Sequence, residues 1–220
     1  NPARAAEFKL LCAVALHPAM DELVPDFERT SGHKVTVAYG NAGAIADRFE
    51  KGEAADLLIN SAPLMDRLEA HGKIPAGDRK IVAKVGVSAF VRKGAPRPDL
   101  SSVDAFKRAV LAASSIIYPD LEKLGIAAEM KAKTRLSPSA KVLYATVAGG
   151  EVEIGFNQIS EVLAQPSVEL VGPLPAEIQN YTRFTPGIVN GTPHAEAAQA
   201  LIAFLYSPAA KTVFQSKGFE

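Results

Sequence analysis

Lys34-Val35-Thr36-Val37-Ala38-Tyr39 runs straight into Gly40-Asn41-Ala42-Gly43, and Ile45, Ala46 and Phe49 follow on one helical side. A β-rich run, a glycine turn and a 3.6-residue period in direct succession read as a strand feeding a helix. The same unit stands on either side of it. Upstream, Phe8 to Val14 reads as a buried strand, and Met20, Leu23, Val24 and Phe27 stripe a helix from about Pro18 to Arg29 that Ser31-Gly32 ends. Downstream, Gly52 closes the second helix, Asp56-Leu57-Leu58-Ile59-Asn60 is a third strand, and Ala62 to His71 is a third helix. This alternation predicts a parallel sheet with helices on both faces.

The rhythm changes at Lys80. Ile81 to Val91 is one long β-rich run ending at Arg92-Lys93-Gly94, and Pro96 and Pro98 break the chain. Ser101 is expected to cap a helix carrying Val103, Phe106 and Val110, and strands are expected at Ser115–Tyr118, Val152–Phe156 and Val168–Val171. Helices at His194–Leu205 and Pro208–Lys217 complete the chain. Two α/β units joined by a long strand predict two lobes with a cleft between them, divided as residues 1–83 with 180–220, and 84–179. Ligands of such sheets bind beyond the carboxyl ends of strands, where loops meet helix amino termini.

Composition removes several classes of function. Twenty-four Lys+Arg balance twenty-four Asp+Glu, and without a basic field nucleic acid is not an expected partner. No apolar run reaches the ~18–20 residues that span a bilayer. The lone Cys12 sits in an apolar strand and reads as an inert packed thiol, and the four histidines lack metal-site spacing. No metal or cofactor is expected. Dinucleotide, phosphate-loop and nucleophile-elbow motifs are all missing. Asn1-Pro2-Ala3-Arg4-Ala5-Ala6 has the small-x-small form that precedes export-signal cleavage, and reads either as that remnant or as vector-derived residues.

Two strand ends have the geometry for a site. Val14-Ala15-Leu16-His17 and Gly40-Asn41-Ala42-Gly43 each lead into a helix, so both aim backbone N–H groups and a positive helix end at one region. Glycines 40 and 43 are expected to allow close backbone approach and unusual dihedrals. His17 suits contact with an anion or titration near neutral pH. His33, His71 and His194 read as surface residues, and Asp56 as a carboxylate that caps or pairs with a neighbour. Asn157-Gln158 ends a strand with its amides toward the cleft, and Asn180 to Thr185 reads as aromatic packing at a hinge.

Several segments resemble the molybdate-binding proteins of ABC importers, in family order: Asp26-Phe27-Glu28, Gly40 to Ile45, Lys51 to Leu57, Val91 to Pro96, Gly149 to Gly155, Val168 to Pro175 and Phe204 to Ala210. The resemblance implies the two-lobed type II periplasmic binding protein fold, with mixed sheets flanked by helices. It further implies export, a membrane ABC permease as partner, a small anionic ligand (an oxyanion or an organic acid) and a monomer. Ligand contacts carried over are Ala15, His17, Asn41, Ala42, Gly43, Tyr118, Asn157, Gln158 and Phe184. Ala15 and Ala42 stand where molybdate binders place two serine hydroxyls, and each hydrogen bond lost to a charged ligand costs ~1.5–3 kcal/mol. The cleft therefore reads as rebuilt for another anion. Asp120 runs directly into Leu121-Glu122-Lys123-Leu124-Gly125, where relatives carry a longer loop and most of a helix, which suggests a loop missing after Asp120. Some proteins similar to this family isomerise small polycarboxylates such as aconitate. That activity, with His17 as acid/base group, is the alternative to solute capture.

Overall fold

The computed structural model describes residues 5–117, 130–135, 137 and 139–220. Two compact units divide the chain: Asn1–Lys84 with Thr182–Glu220, and Val85–Tyr181.

In the first unit, β1 (Glu7–Ala13) lies between β2 (Lys34–Gly40) and β3 (Leu57–Ser61), parallel to both. Ala13 stands opposite Gly40 and Cys12 opposite Ile59, so the three carboxyl ends finish abreast. β9 (Tyr181–Ile188) adds to β3 antiparallel, making the sheet mixed. α1 (His17–Ser31), α2 (Ala42–Glu50) and α3 (Ala62–Ala70) follow β1, β2 and β3 in turn. The apolar stripe of α1 is buried, and the Phe27 ring meets that of Phe204 in a tilted contact at 5.7 Å, tying α1 to α7 (Ala195–Leu205). α8 (Pro208–Ser216) closes the unit, and Phe214 and Phe219 meet edge-on at 5.6 Å.

Asp56 pairs as expected. Its Oδ2 accepts the Lys9 N–H at 2.7 Å and its Oδ1 the Thr192 hydroxyl at 2.5 Å. His33 does not lie on the surface: it is 7% exposed, its Nδ1 accepts the Ala6 N–H, and its ring stacks on Phe27. The turn after Gly32 is tight enough to bring the ring back over the helix it follows. Gly32 ends α1 in the left-handed conformation, which a residue without Cβ adopts at no steric cost.

In the second unit, β4 (Ala83–Arg92) pairs antiparallel with both β7 (Ile154–Gln158) and β8 (Val168–Pro173). β5 (Ile116–Ile117) is parallel to β7, and β6 (Thr134–Arg135) to β5. β7 starts two residues later than the apolar pattern suggests, because Val152 is spent in the core beside Phe90 and Val168. α4 (Val103–Ala112), α5 (Ala140–Ala148) and α6 (Ile159–Leu163) flank these strands. Tyr118 and the segment after Asp120 lie outside the described residues.

Candidate functional site

The carboxyl ends of β1, β2 and β3 carry three helix starts whose first-turn N–H groups receive no side-chain cap among the described residues. β1 passes through one 3-10 turn, Val14–Leu16, into α1, and neither Ala13 nor Leu16 supplies a side-chain cap. Asn41 stands at the start of α2 and Ser61 at the start of α3, residue types that commonly cap, yet neither side chain accepts an N–H there. None of the three first turns holds an acidic residue. Ser102, Ser139 and Ser207 each accept an N–H from the first turn of α4, α5 and α8, while α6 and α7 lack a side-chain cap but carry Glu161 and Glu196 in their first turns. Adjacent strands are ~4.8 Å apart, so the three strand ends that feed these helices lie within about 10 Å of one another. Unpaired N–H groups and aligned dipoles make this edge suited to an anion.

Asn60, which the sequence reading passed over, organises this edge. It is 0% exposed at the end of β3; its Nδ2 donates to the Ala42 carbonyl at 2.8 Å and its Oδ1 accepts the Ser61 N–H at 2.8 Å. One side chain thus fixes the starts of both α2 and α3. Opposite it on β9, the buried Thr185 hydroxyl has no hydrogen-bond partner among the described residues. Neither Gly40 nor Gly43 has the positive φ expected of it. Gly40 is closely packed, since a Cβ there would come within 3.2 Å of the Ile45 side chain, whereas Gly43 faces open space and leaves the α2 terminus approachable.

His17, the first residue of α1, is half exposed. Its ring lies 4.3 Å from that of Tyr39, and its Nε2 is 3.1 Å from Asp21 Oδ1. Burial, with a smaller contribution from the Asp21 charge, pushes the Tyr39 hydroxyl above its ordinary pKa, so this phenol stays protonated. Burial likewise raises the Cys12 thiol, as befits an inert packed group. Ala15, His17, Asn41, Ala42 and Gly43 therefore gather at one sheet edge. Phe184 lies on β9 opposite Ser61, but its ring is 1% exposed and packs on Phe219 at 6.3 Å.

The second unit holds a counterpart at the end of β7. Asn157 Oδ1 accepts the Gln158 N–H at 2.8 Å, repeating the Asn60–Ser61 arrangement. Its Nδ2 reaches the Tyr144 hydroxyl at 3.0 Å and Glu161 Oε2 at 3.4 Å, so the amide is committed within the unit. Burial raises the Glu161 carboxyl above its ordinary range, against the opposing hydrogen bond from Asn157. Gln158 precedes α6 without capping it. Asn157 thus works as a positioning residue, holding Gln158 and the start of α6.

Among the described residues no group of three His, Cys, Asp or Glu side chains forms a metal cluster, and no helix is long and apolar enough to cross a membrane. Residues 8–220 match the family model described as bacterial extracellular solute-binding protein. An aconitate isomerase from a Pseudomonas species is 31% identical over 215 residues, covering 90% of this chain and 82% of that protein. The molybdate-binding protein ModA of Azotobacter vinelandii is 26% identical over 233 residues, covering 99% of this chain and 91% of that one. The solved periplasmic molybdate-binding protein of Azotobacter vinelandii superposes with a TM-score of 0.78 at 16% identity, covering 97% of this chain and 98% of that one. That likeness bears on the fold, which is the type II periplasmic binding protein fold.

Proposed function

The chain belongs to the family of bacterial extracellular solute-binding proteins, and from that premise we propose that it captures a small polycarboxylate anion and delivers it to a membrane ABC permease. The observation that carries this reading is the set of three uncapped, acid-free helix starts at the carboxyl ends of β1, β2 and β3. With Ala15 and Ala42 in place of hydroxyl side chains, the donors at the starts of α1 and α2 are backbone N–H groups, joined by His17 and Asn41, and the hydroxyls at this edge are those of Ser61 and Thr185. A planar carboxylate is well matched to paired backbone donors, while a tetrahedral oxyanion lacks a hydroxyl at each of positions 15 and 42. The relative named aconitate isomerase favours the same ligand class. The protein works as an exported monomer.

A second reading, isomerisation of a polycarboxylate, is favoured by one feature, the His17–Asp21 pair beside Tyr39. There His17 would take a proton from a methylene of the substrate and return one at the far carbon of the allyl system, shifting the double bond.

Thermal unfolding against a panel tests both readings. At 100 times its dissociation constant a ligand adds ~2.7 kcal/mol of stability, and for a chain of this size that raises the midpoint by roughly 5–10 °C. The expected result is a rise with cis- or trans-aconitate and tricarballylate and none with molybdate, tungstate or sulfate. A rise with molybdate or tungstate alone would remove the carboxylate assignment and leave oxyanion capture. Interconversion of the two aconitates, lost in His17→Ala, would establish the isomerase.

A further inference from the structure

The second unit contains a recess that the edge described above does not use. It has a volume of about 740 Å³ and lies between α4, residues 95–99 and the turn that enters β7. This is the end of the sheet where β4 finishes and β7 begins, opposite the Asn157–Gln158 end. The hollow follows from the sequence of α4. Phe106 and Val110 turn into the core, while Ala105, Ala109, Ala112 and Ala113 line the recess and leave it unfilled. Val152 and Ile154 complete an apolar floor.

Charge at the rim gives the recess a polarity. Three arginines and two carboxylates line it. Both carboxylates are engaged: Glu153 takes the N–H and hydroxyl of Ser114, and Asp99 takes the Ser101 N–H. Arg97 is held by Glu169 and the Leu170 carbonyl. The Arg92 and Arg108 guanidinium groups form no hydrogen bond or ion pair with any described residue; the Asp99 carboxyl is held below its ordinary range chiefly by its hydrogen bonds from Ser101, with a smaller contribution from the Arg108 charge. An alanine-walled hollow within the ~300–1,000 Å³ range of ligand pockets, edged by two uncommitted guanidinium groups, fits one kind of occupant.

We propose that this recess is a second ligand site, for an amphipathic monocarboxylate whose hydrocarbon body lies on the alanine face of α4 and whose carboxylate meets Arg92 and Arg108. Octanoate is the probe, with octanamide and acetate as partners that lack its charge and its body. Calorimetry should show one saturable octanoate site per chain, with amide resonances of Ala109 and Val152 shifting on titration. The Arg92→Gln/Arg108→Gln double variant should bind at least about tenfold more weakly, the loss expected when charge-assisted hydrogen bonds are removed. Octanamide and acetate should lose a comparable factor. Ala109→Trp, which fills the hollow, should abolish binding. Both arginines are exposed, so the double variant should keep the wild-type unfolding midpoint and its response to polycarboxylates, and it decides the matter even if Ala109→Trp folds poorly. Absence of saturable octanoate binding, equal binding by the double variant, or shifts confined to residues 42–45 and 60–64 would each overturn the proposal.

Discussion

Gly155→Val should lower the unfolding midpoint by ten degrees or so, the largest single effect expected on stability. The reason is a neighbour, not a dihedral angle. A Cβ at Gly155 would lie 2.3 Å from Phe90 Cζ and within 2.8 Å of two further ring atoms. Phe90 stands directly opposite on β4, is 0% exposed, and has Tyr144 at 5.1 Å on its other side. It sits in a cluster with Leu143, Val147, Val152 and Val168, so the ring has nowhere to go. Overpacking costs ~1–3 kcal/mol and more where the backbone must move, and each kcal/mol displaces the midpoint by roughly 2–4 °C at this chain length. Alanine at 155 should show the lower end of that range. Phe90→Leu combined with Gly155→Ala should recover part of the loss, since the clash is with the ring itself. Gly43→Ala, with no atom within 4 Å, is the control and should stay within ~0.5 kcal/mol of wild type. A Gly155→Val protein as stable as wild type would mean that β4 and β7 are not packed this closely.

Asn60→Asp should abolish most of the anion binding while leaving the chain folded. In the wild type one buried amide serves two helix starts, donating to Ala42 and accepting from Ser61. Aspartate keeps the acceptor for Ser61, loses the donor to Ala42, and places a negative charge among groups arranged for an anion. Affinity for a polycarboxylate should fall by about a hundredfold, ~2.7 kcal/mol, measured by calorimetry. Asn60→Ala removes both hydrogen bonds without adding charge, and should cost ~1–3 kcal/mol of stability with a smaller loss of affinity. The contrast between the two variants separates electrostatics from positioning. Wild-type affinity in Asn60→Asp would show that the ligand does not approach this edge.

The strand–helix units of the first half were readable because periodicity and glycine turns coincide, as at Tyr39–Gly43 and Gly52. The site was readable only by location. Asn41 has the type of a helix cap and caps nothing, a fact set by side-chain direction that composition cannot reveal. Asn60-Ser61 looks like an ordinary turn after Leu57-Leu58-Ile59. Its role depends on β3 lying beside β1 at a register that brings Ala42 within reach. The one available signal was its likeness to Asn157-Gln158, another amide ending an apolar strand before a helix. His33 escaped for a related reason, since its burial comes from a ring stacked across the Gly32 turn and not from an apolar neighbourhood in sequence.

Backbone amide resonances followed during titration with tricarballylate test the central claim most directly, because the claim concerns N–H groups at named positions. Saturable shifts are expected at Val14, Ala15, Leu16, Ala42, Gly43, Ala44, Ala62 and Leu64, the N–H groups of the three open helix starts. Saturable binding that leaves all of these unmoved would contradict the claim, and the anion would have to be held by a different part of the chain.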